Sequence, residues 1–195
     1  MQTFDASNSG LWGSWGISCI LYLVSHILYL ISHISSLGVF ILRAVVTRVK
    51  SASVTIDGQV VGKIGKGFLI LLGVGPNDTE AQCRRLAEKA LGLRVFKDED
   101  DKMNLGLEQI GGEVLVVSQF TLYGNCRKGR RPSFAGAAGP ELGEKLYEQF
   151  LADCESLGYP PQHGRFGADM KVESVNDGPV TLILDTDQLL HEPRR

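Results

Sequence analysis

The amino-acid sequence predicts an α/β fold: a mixed β-sheet packed with two main helices. Three observations carry this. Strand-like stretches follow one another between residues 43 and 74 with no room for a helical crossover. Two later stretches are amphipathic at helical spacing. Further apolar runs, one of them unbroken, lie between and after those two, and such a succession of elements is the pattern of a sheet covered by helices.

In chain order, Arg43-Ala-Val-Val-Thr-Arg-Val-Lys50 alternates as a strand and Ala52–Ile56 reads as a second. Asp57-Gly58 is a hairpin turn, since both residues tolerate positive φ, and Gln59–Ile64 is the return strand. Gly67–Val74 is apolar throughout and bounded by glycine, as in a strand buried on both faces. Asn77, with Glu80 three residues on, is read as the N-terminus of the first helix. Its apolar face is Leu86, Ala87, Ala90 and Leu91, and Arg84, Arg85, Glu88 and Lys89 face water. Leu93–Phe96 reads as a short strand, Asp98–Asp101 as a solvated turn, and Glu113–Gln119 as a central strand. Gly139-Pro140 opens the second helix, whose stripe is Leu142, Leu146, Phe150, Cys154 and Leu157 and whose stop is Gly158. Ala168–Val175 and Val180–Asp185 read as two last strands split by Asn176-Asp-Gly-Pro179, and 186–195 as a flexible tail without pattern.

A chain of 195 residues fits one medium domain with an appendage. Its net charge of −2 provides no global basic field, so contact with a nucleic acid has to come from a local patch. The four cysteines are scattered and form no CxxC pair, which fits a reducing compartment better than a disulfide scaffold or zinc ribbon. The four histidines form neither HxxxH nor HExxH, so no metal is expected. No glycine-rich phosphate-binding motif follows a strand, and no cofactor is expected either.

Residues 1–41 differ in composition from the rest. No Asp, Glu, Lys or Arg occurs from Ala6 to Leu42, and Ile17–Ile34 is rich in Ile, Leu, Val and Tyr. The stretch is long enough to span a bilayer, for which about 20 apolar residues suffice. It lacks a basic n-region and a small-x-small cleavage site, unlike a secretory signal. Arg43, Arg48 and Lys50 follow it, so the remainder would stay cytoplasmic if it spanned. Three readings stand: a start codon assigned too far upstream, which the repetitive LVSHILYLISHIS favours; a membrane anchor; or a partner-binding extension.

The usual hydrolytic machinery is missing. Ser118 has no GxSxG elbow, and His163 is the one histidine between residues 42 and 185. Three segments remain, each with an ordinary structural reading beside a functional one. Ser118-Gln-Phe-Thr-Leu-Tyr123 is either a strand fading into a loop or a place where backbone N–H groups and hydroxyls turn to a ligand and hold an ester oxyanion. Asn176-Asp-Gly-Pro-Val-Thr181 is either a plain turn or a rigid set of carbonyls, because proline after glycine can adopt a cis bond. Arg127-Lys-Gly-Arg-Arg131 is either a solvated loop or a phosphate contact for a polynucleotide.

Together with Leu42–Val49, Arg127–Phe134 (RKGRRPSF) and Arg165–Met170 (RFGADM), these segments resemble the D-aminoacyl-tRNA deacylase family, also called D-tyrosyl-tRNA deacylase, in unbroken order over about residues 42–185. The resemblance implies a three-layer fold with a barrel-like sheet. It also implies a cytoplasmic homodimer with active sites at the interface, and D-aminoacyl-tRNA as substrate. Ser118, Gln119, Phe120 and Thr121 would form the catalytic pocket of one subunit. Gly178 and Pro179 of the other would be a chiral gate held by Arg48, with Asn176 in the same motif. Phe166 would bind the terminal adenosine, and Arg127, Lys128, Arg130 and Arg131 the tRNA. Thr121 is either the nucleophile or a bystander to backbone and ribose. Against this stand a catalytically silent RNA-binding module and a membrane-tethered interaction protein.

Overall fold

The computed structural model describes residues 41–190. The expectations placed on residues 1–40 and 191–195 lie outside them. In chain order the elements are β1 (Arg43–Ile56), β2 (Gln59–Ile64), β3 (Gly67–Gly73), α1 (Glu80–Leu91), β4 (Phe96–Lys97), β5 (Met103–Leu105), α2 (Leu107–Ile110), β6 (Glu113–Ser118), α3 (Pro140–Ser156), β7 (Gln162–His163), β8 (Lys171–Asp185) and α4 (Thr186–Leu190).

β1 is the spine. It pairs antiparallel with β2, β3 and β8, while β6 runs parallel to β3 and to β7, so the sheet is mixed as expected. The order is β2-β1-β3-β6-β7, with β8 joined to β1. The first half of β1 pairs β3 and its second half pairs β2, while β8 follows it along both, which curls the sheet toward a barrel. Asp57 and Gly58 both have positive φ in the tight turn between β1 and β2. At Gly67 a Cβ would stand 1.8 Å from the Glu113 carbonyl, so only glycine fits where β3 and β6 come together.

Two apolar layers explain the unbroken hydrophobic runs. Phe68, Ile70, Leu72, Val114 and Val116 pack with Leu86 of α1 and Leu146 and Phe150 of α3. Leu69, Leu115 and Val117 point to the other face, onto Val49, Val54, Ile56 and Ile64. A strand with apolar neighbours on both sides has no reason to alternate.

Several boundaries differ from the sequence reading. Arg43–Ile56 is one strand, because β8 runs along all of it and bridges the point where the pattern breaks. For the same reason the two expected C-terminal strands are one, with residues 177–180 bulging out between the Thr47–Thr181 and Val49–Asn176 pairs. The first helix begins after Thr79, whose N–H donates to Gln82 Oε1 at 2.8 Å, since Gly75–Asp78 is already closed as a turn. The short strand is Phe96–Lys97, paired with Met103–Leu105 across the acidic turn. Thr186–Leu190 is a short helix in place of an unpatterned tail. Thr186 is fully buried and accepts the Leu42 N–H at 2.9 Å, which ties the two ends of the domain together.

Candidate active site

A cleft of about 320 Å³ opens where β6 ends. Ser118, Gln119 and Phe120 form one wall, Leu72 of the neighbouring β3 and Val74 just past its end a second, and Gly143 and Tyr147 of α3 the floor with Phe166 beside them. Its lining is mostly apolar with a few convergent polar groups, the make-up of a small-molecule site. Phe166 packs on Tyr147 at 6.1 Å between ring centroids, and a Cβ at Gly143 would approach Phe166 Cζ to 3.1 Å, so the glycine gives the ring its place.

No acid or base lines this cleft. The Tyr147 hydroxyl donates to the Val116 carbonyl at 3.1 Å, and burial raises its pKa well above the ordinary value, so it stays neutral. The Thr121 hydroxyl is exposed and accepts a hydrogen bond from the Gln119 side-chain amide, and neither end of an amide can take its proton. The thiols of Cys83 and Cys154 are pushed up to about 12, chiefly by burial, which makes them poor nucleophiles. Among the described residues no group of His, Cys, Asp and Glu is gathered as a metal site. What the cleft does offer is backbone. Phe120–Tyr123 is a 3-10 turn, and the N–H groups of Phe120 and Thr121 that open it donate to no carbonyl among the described residues.

The second segment stands elsewhere. Asn176, Gly178 and Pro179 are exposed and none lines the cleft of their own chain. The Gly178–Pro179 peptide bond is cis and Gly178 has a φ of 123°. Arg48, only 4% exposed, lies beneath the bulge: its Nε donates to the Asp177 carbonyl at 3.1 Å and its Nη1 to the Val95 carbonyl. A Cβ on Gly178 would meet Arg48 Nη2 at 2.7 Å.

The basic segment is a closed loop. Asn125 and Ser133 bond each other's backbone at 2.7 and 3.0 Å, leaving Arg127, Lys128, Arg130 and Arg131 exposed and without an ion pair among the described residues. Phe134, just past the loop, meets Phe120 edge to face at 5.2 Å and so fastens the loop to the rim of the cleft.

Residues 45–185 match the family described as D-Tyr-tRNA(Tyr) deacylase. A D-aminoacyl-tRNA deacylase of Desulfatibacillum aliphaticivorans is 60% identical over 145 residues, covering 74% of this chain and 99% of the relative. One from Thermosipho africanus is 53% identical over 148 residues, covering 76% and 99%. This chain belongs to the D-Tyr-tRNA(Tyr) deacylase family. It is an enzyme, a D-aminoacyl-tRNA deacylase. A solved structure of a c-Myc DNA unwinding element binding protein has the same fold, with a TM-score of 0.69, 41% identity and coverage of 73% of this chain and 97% of that one.

Of the residues singled out from sequence for this deacylase, the cleft gathers Ser118, Gln119, Phe120 and Phe166, and not Thr121, Arg48, Asn176, Gly178 or Pro179. Leu72, Val74, Ala138, Gly143 and Tyr147 were not foreseen. Gly143 and Tyr147 carried a signal: a glycine inside a helix, four residues before a large aromatic beside the apolar stripe, marks a close approach.

Proposed function

We propose that the cleft holds the aminoacyl end of a charged tRNA and that its backbone, not a side chain, drives ester hydrolysis. The observation that carries this is a cleft with no acid or base in its lining, beside a turn whose Phe120 and Thr121 N–H groups have no carbonyl acceptor among the described residues. Water attacks the ester carbonyl, the oxyanion is held by the Phe120 and Thr121 N–H groups, and the ribose oxygen leaves with a proton. The ribose 2′-hydroxyl of the substrate assists in place of a protein base, Phe166 packs against the terminal adenosine, and the Arg127–Arg131 loop grips phosphates. Thr121 is then not the nucleophile.

Chirality is read by a second copy of the chain. Gly178 and Pro179 are displayed outward, and the same strand carries exposed Val172, Val175 and Ile183, an apolar edge suited to a homodimer. In the dimer the Gly178-Pro179 turn of one subunit enters the cleft of the other, where its carbonyls clash with the side chain of an L-amino acid, a filter by exclusion. Glycine has no side chain to exclude, so glycyl-tRNA is a second substrate. The enzyme works in the cytoplasm, where charged tRNA is found.

The test is deacylation by purified protein. D-Tyr-tRNA and Gly-tRNA should be cleaved and L-Tyr-tRNA spared. Equal rates on D- and L-Tyr-tRNA would refute the filter, and tRNA binding without turnover would leave an RNA-binding module.

A further inference from the structure

Beneath the cleft wall lies a polar cluster that the chemistry above does not use. Tyr123 closes the 3-10 turn and sends its ring back under the end of β3. A Cβ at Gly73 would meet Tyr123 Cε2 at 3.0 Å and the Gln119 carbonyl at 3.1 Å, and one at Gly75 would meet the Tyr123 hydroxyl at 3.2 Å. The two glycines make the slot that the ring fills. Inside it the hydroxyl donates to the Ile41 carbonyl, with the Gly73 carbonyl 3.4 Å away, and Asp78 Oδ2 would stand 3.2 Å from the same Gly75 Cβ that the hydroxyl meets.

The surroundings of the ring are fixed in turn. Asp78 is 6% exposed, its Oδ2 accepts the Gly75 N–H at 2.6 Å, and its Oδ1 is buried without a partner. From β1, Arg43 reaches over the Tyr123 ring at 5.6 Å, donates to the Leu122 carbonyl at 2.9 Å and is held by Asp185 at 2.8 and 3.2 Å. The turn that carries the Phe120 and Thr121 N–H groups is therefore gripped at its last two residues by groups from β1, β8 and the β3–α1 loop. The residue before it is fixed as well, since the Gln119 N–H donates to the Leu72 carbonyl at 2.7 Å.

We propose that Tyr123, in a slot whose Gly75 side Asp78 fixes, is a positioning residue for deacylation, setting where the Phe120 and Thr121 N–H groups stand without touching substrate. The proposal rests on the reading of those N–H groups as the oxyanion site. A hydrogen-bond donor displaced by a few tenths of an ångström still lets substrate bind but holds the transition state less well, so the loss appears in kcat and not in KM.

The experiment is steady-state deacylation of D-Tyr-tRNA by wild type, Tyr123→Phe, Asp78→Ala, Asp78→Asn and the double variant Tyr123→Phe/Asp78→Ala, with folding checked by circular dichroism. Tyr123→Phe keeps the ring in its slot and removes only the hydroxyl. It should lower kcat about tenfold with KM within about twofold, a loss confined to the transition state. Asp78→Ala should do the same, the double variant should be no worse than either single one, and Asp78→Asn, which keeps an acceptor for Gly75, should recover most of the rate. Unchanged kcat in folded Tyr123→Phe overturns the proposal, as do additive losses in the double variant or a parallel change in kcat and KM. A wild type that cleaves D-Tyr-tRNA while Tyr123→Phe matches it removes only the strut. A wild type that binds tRNA without turnover removes the oxyanion reading and the strut with it.

Discussion

Ser118–Tyr123 leaves the middle of the sheet and is held by Arg43 and by the Ile41 and Gly73 carbonyls, whereas Asp177–Val180 bulges from an outer strand and rests on Arg48. The first lines a cleft formed by residues of its own chain. The second is held as firmly as one buried guanidinium allows and is turned away from that cleft. A catalytic wall needs fixed N–H directions, so it is built on the core. The proposed filter, acting on a neighbouring subunit, would have to be displayed, and the segment assigned to it stands on an edge and is pinned at its base.

Breaking the displayed segment should have the largest effect. A methyl at Gly178 meets Arg48 Nη2 at 2.7 Å and Val180 Cγ2 at 2.9 Å at a φ of 123° that L-residues rarely adopt, so Gly178→Ala has to move the bulge or the arginine. Selectivity for D- over L-Tyr-tRNA should fall by about 100-fold, equivalent to about 2.7 kcal/mol of discrimination, read from paired single-turnover rates. Arg48→Ala removes the buried donor to two carbonyls and should cost about 2–4 kcal/mol of stability in urea unfolding as well as selectivity. Arg48→Lys should not restore it, because an ammonium cannot replace the two-armed guanidinium. A lysine variant equal to wild type would contradict the pinning role.

Smaller effects should come from groups outside the comparison. Replacing Arg127, Lys128, Arg130 and Arg131 by glutamine should weaken tRNA binding about tenfold and flatten its salt dependence, with the rate on saturating substrate kept. Thr121→Ala should stay within about fivefold of wild type, since its hydroxyl has no base to activate it. Near-total loss in a folded protein would restore the nucleophile.

The smallest effect is one of pH. Burial raises the Asp78 pKa above the ordinary carboxylate value, with the Gly75 N–H and Tyr123 opposing it. The folded state thus holds this proton more tightly than the unfolded chain. The stability it contributes is present below the unfolded value of about 4 and is lost as pH rises through the folded one. Asp78→Asn, which cannot ionise, should therefore gain thermal stability relative to wild type as pH rises above about 4. A constant difference across that rise would contradict the shift.

Much of the frame was legible because apolar periodicity and turn chemistry act locally. The Asp57-Gly58 hairpin, the buried β3 and β6 runs and the proline that opens α3 all follow from neighbours in sequence. Boundaries failed where a distant strand decided. Nothing near Lys50 or Asn176 says that β8 pairs along the whole of β1 and carries both strands through their irregular points. The cleft was half legible for a similar reason. Ser118–Phe120 could be found as polar residues after an apolar strand. Tyr147 was not singled out until its ring was seen beside Phe166, and the slot for Tyr123 depends on Gly73, read only as part of a buried strand, and on Gly75 just after it.

The shared site is tested most directly by a mixed dimer. Gly143→Leu fills the cleft and leaves the Gly178-Pro179 turn intact, while Gly178→Ala does the reverse. Each homodimer should have lost selective cleavage of D-Tyr-tRNA. A heterodimer purified through two tags should recover it to about half the wild-type rate per dimer, because one of its two sites combines an intact cleft with an intact turn. A folded heterodimer no more selective than its Gly178→Ala parent would contradict a site made by two subunits.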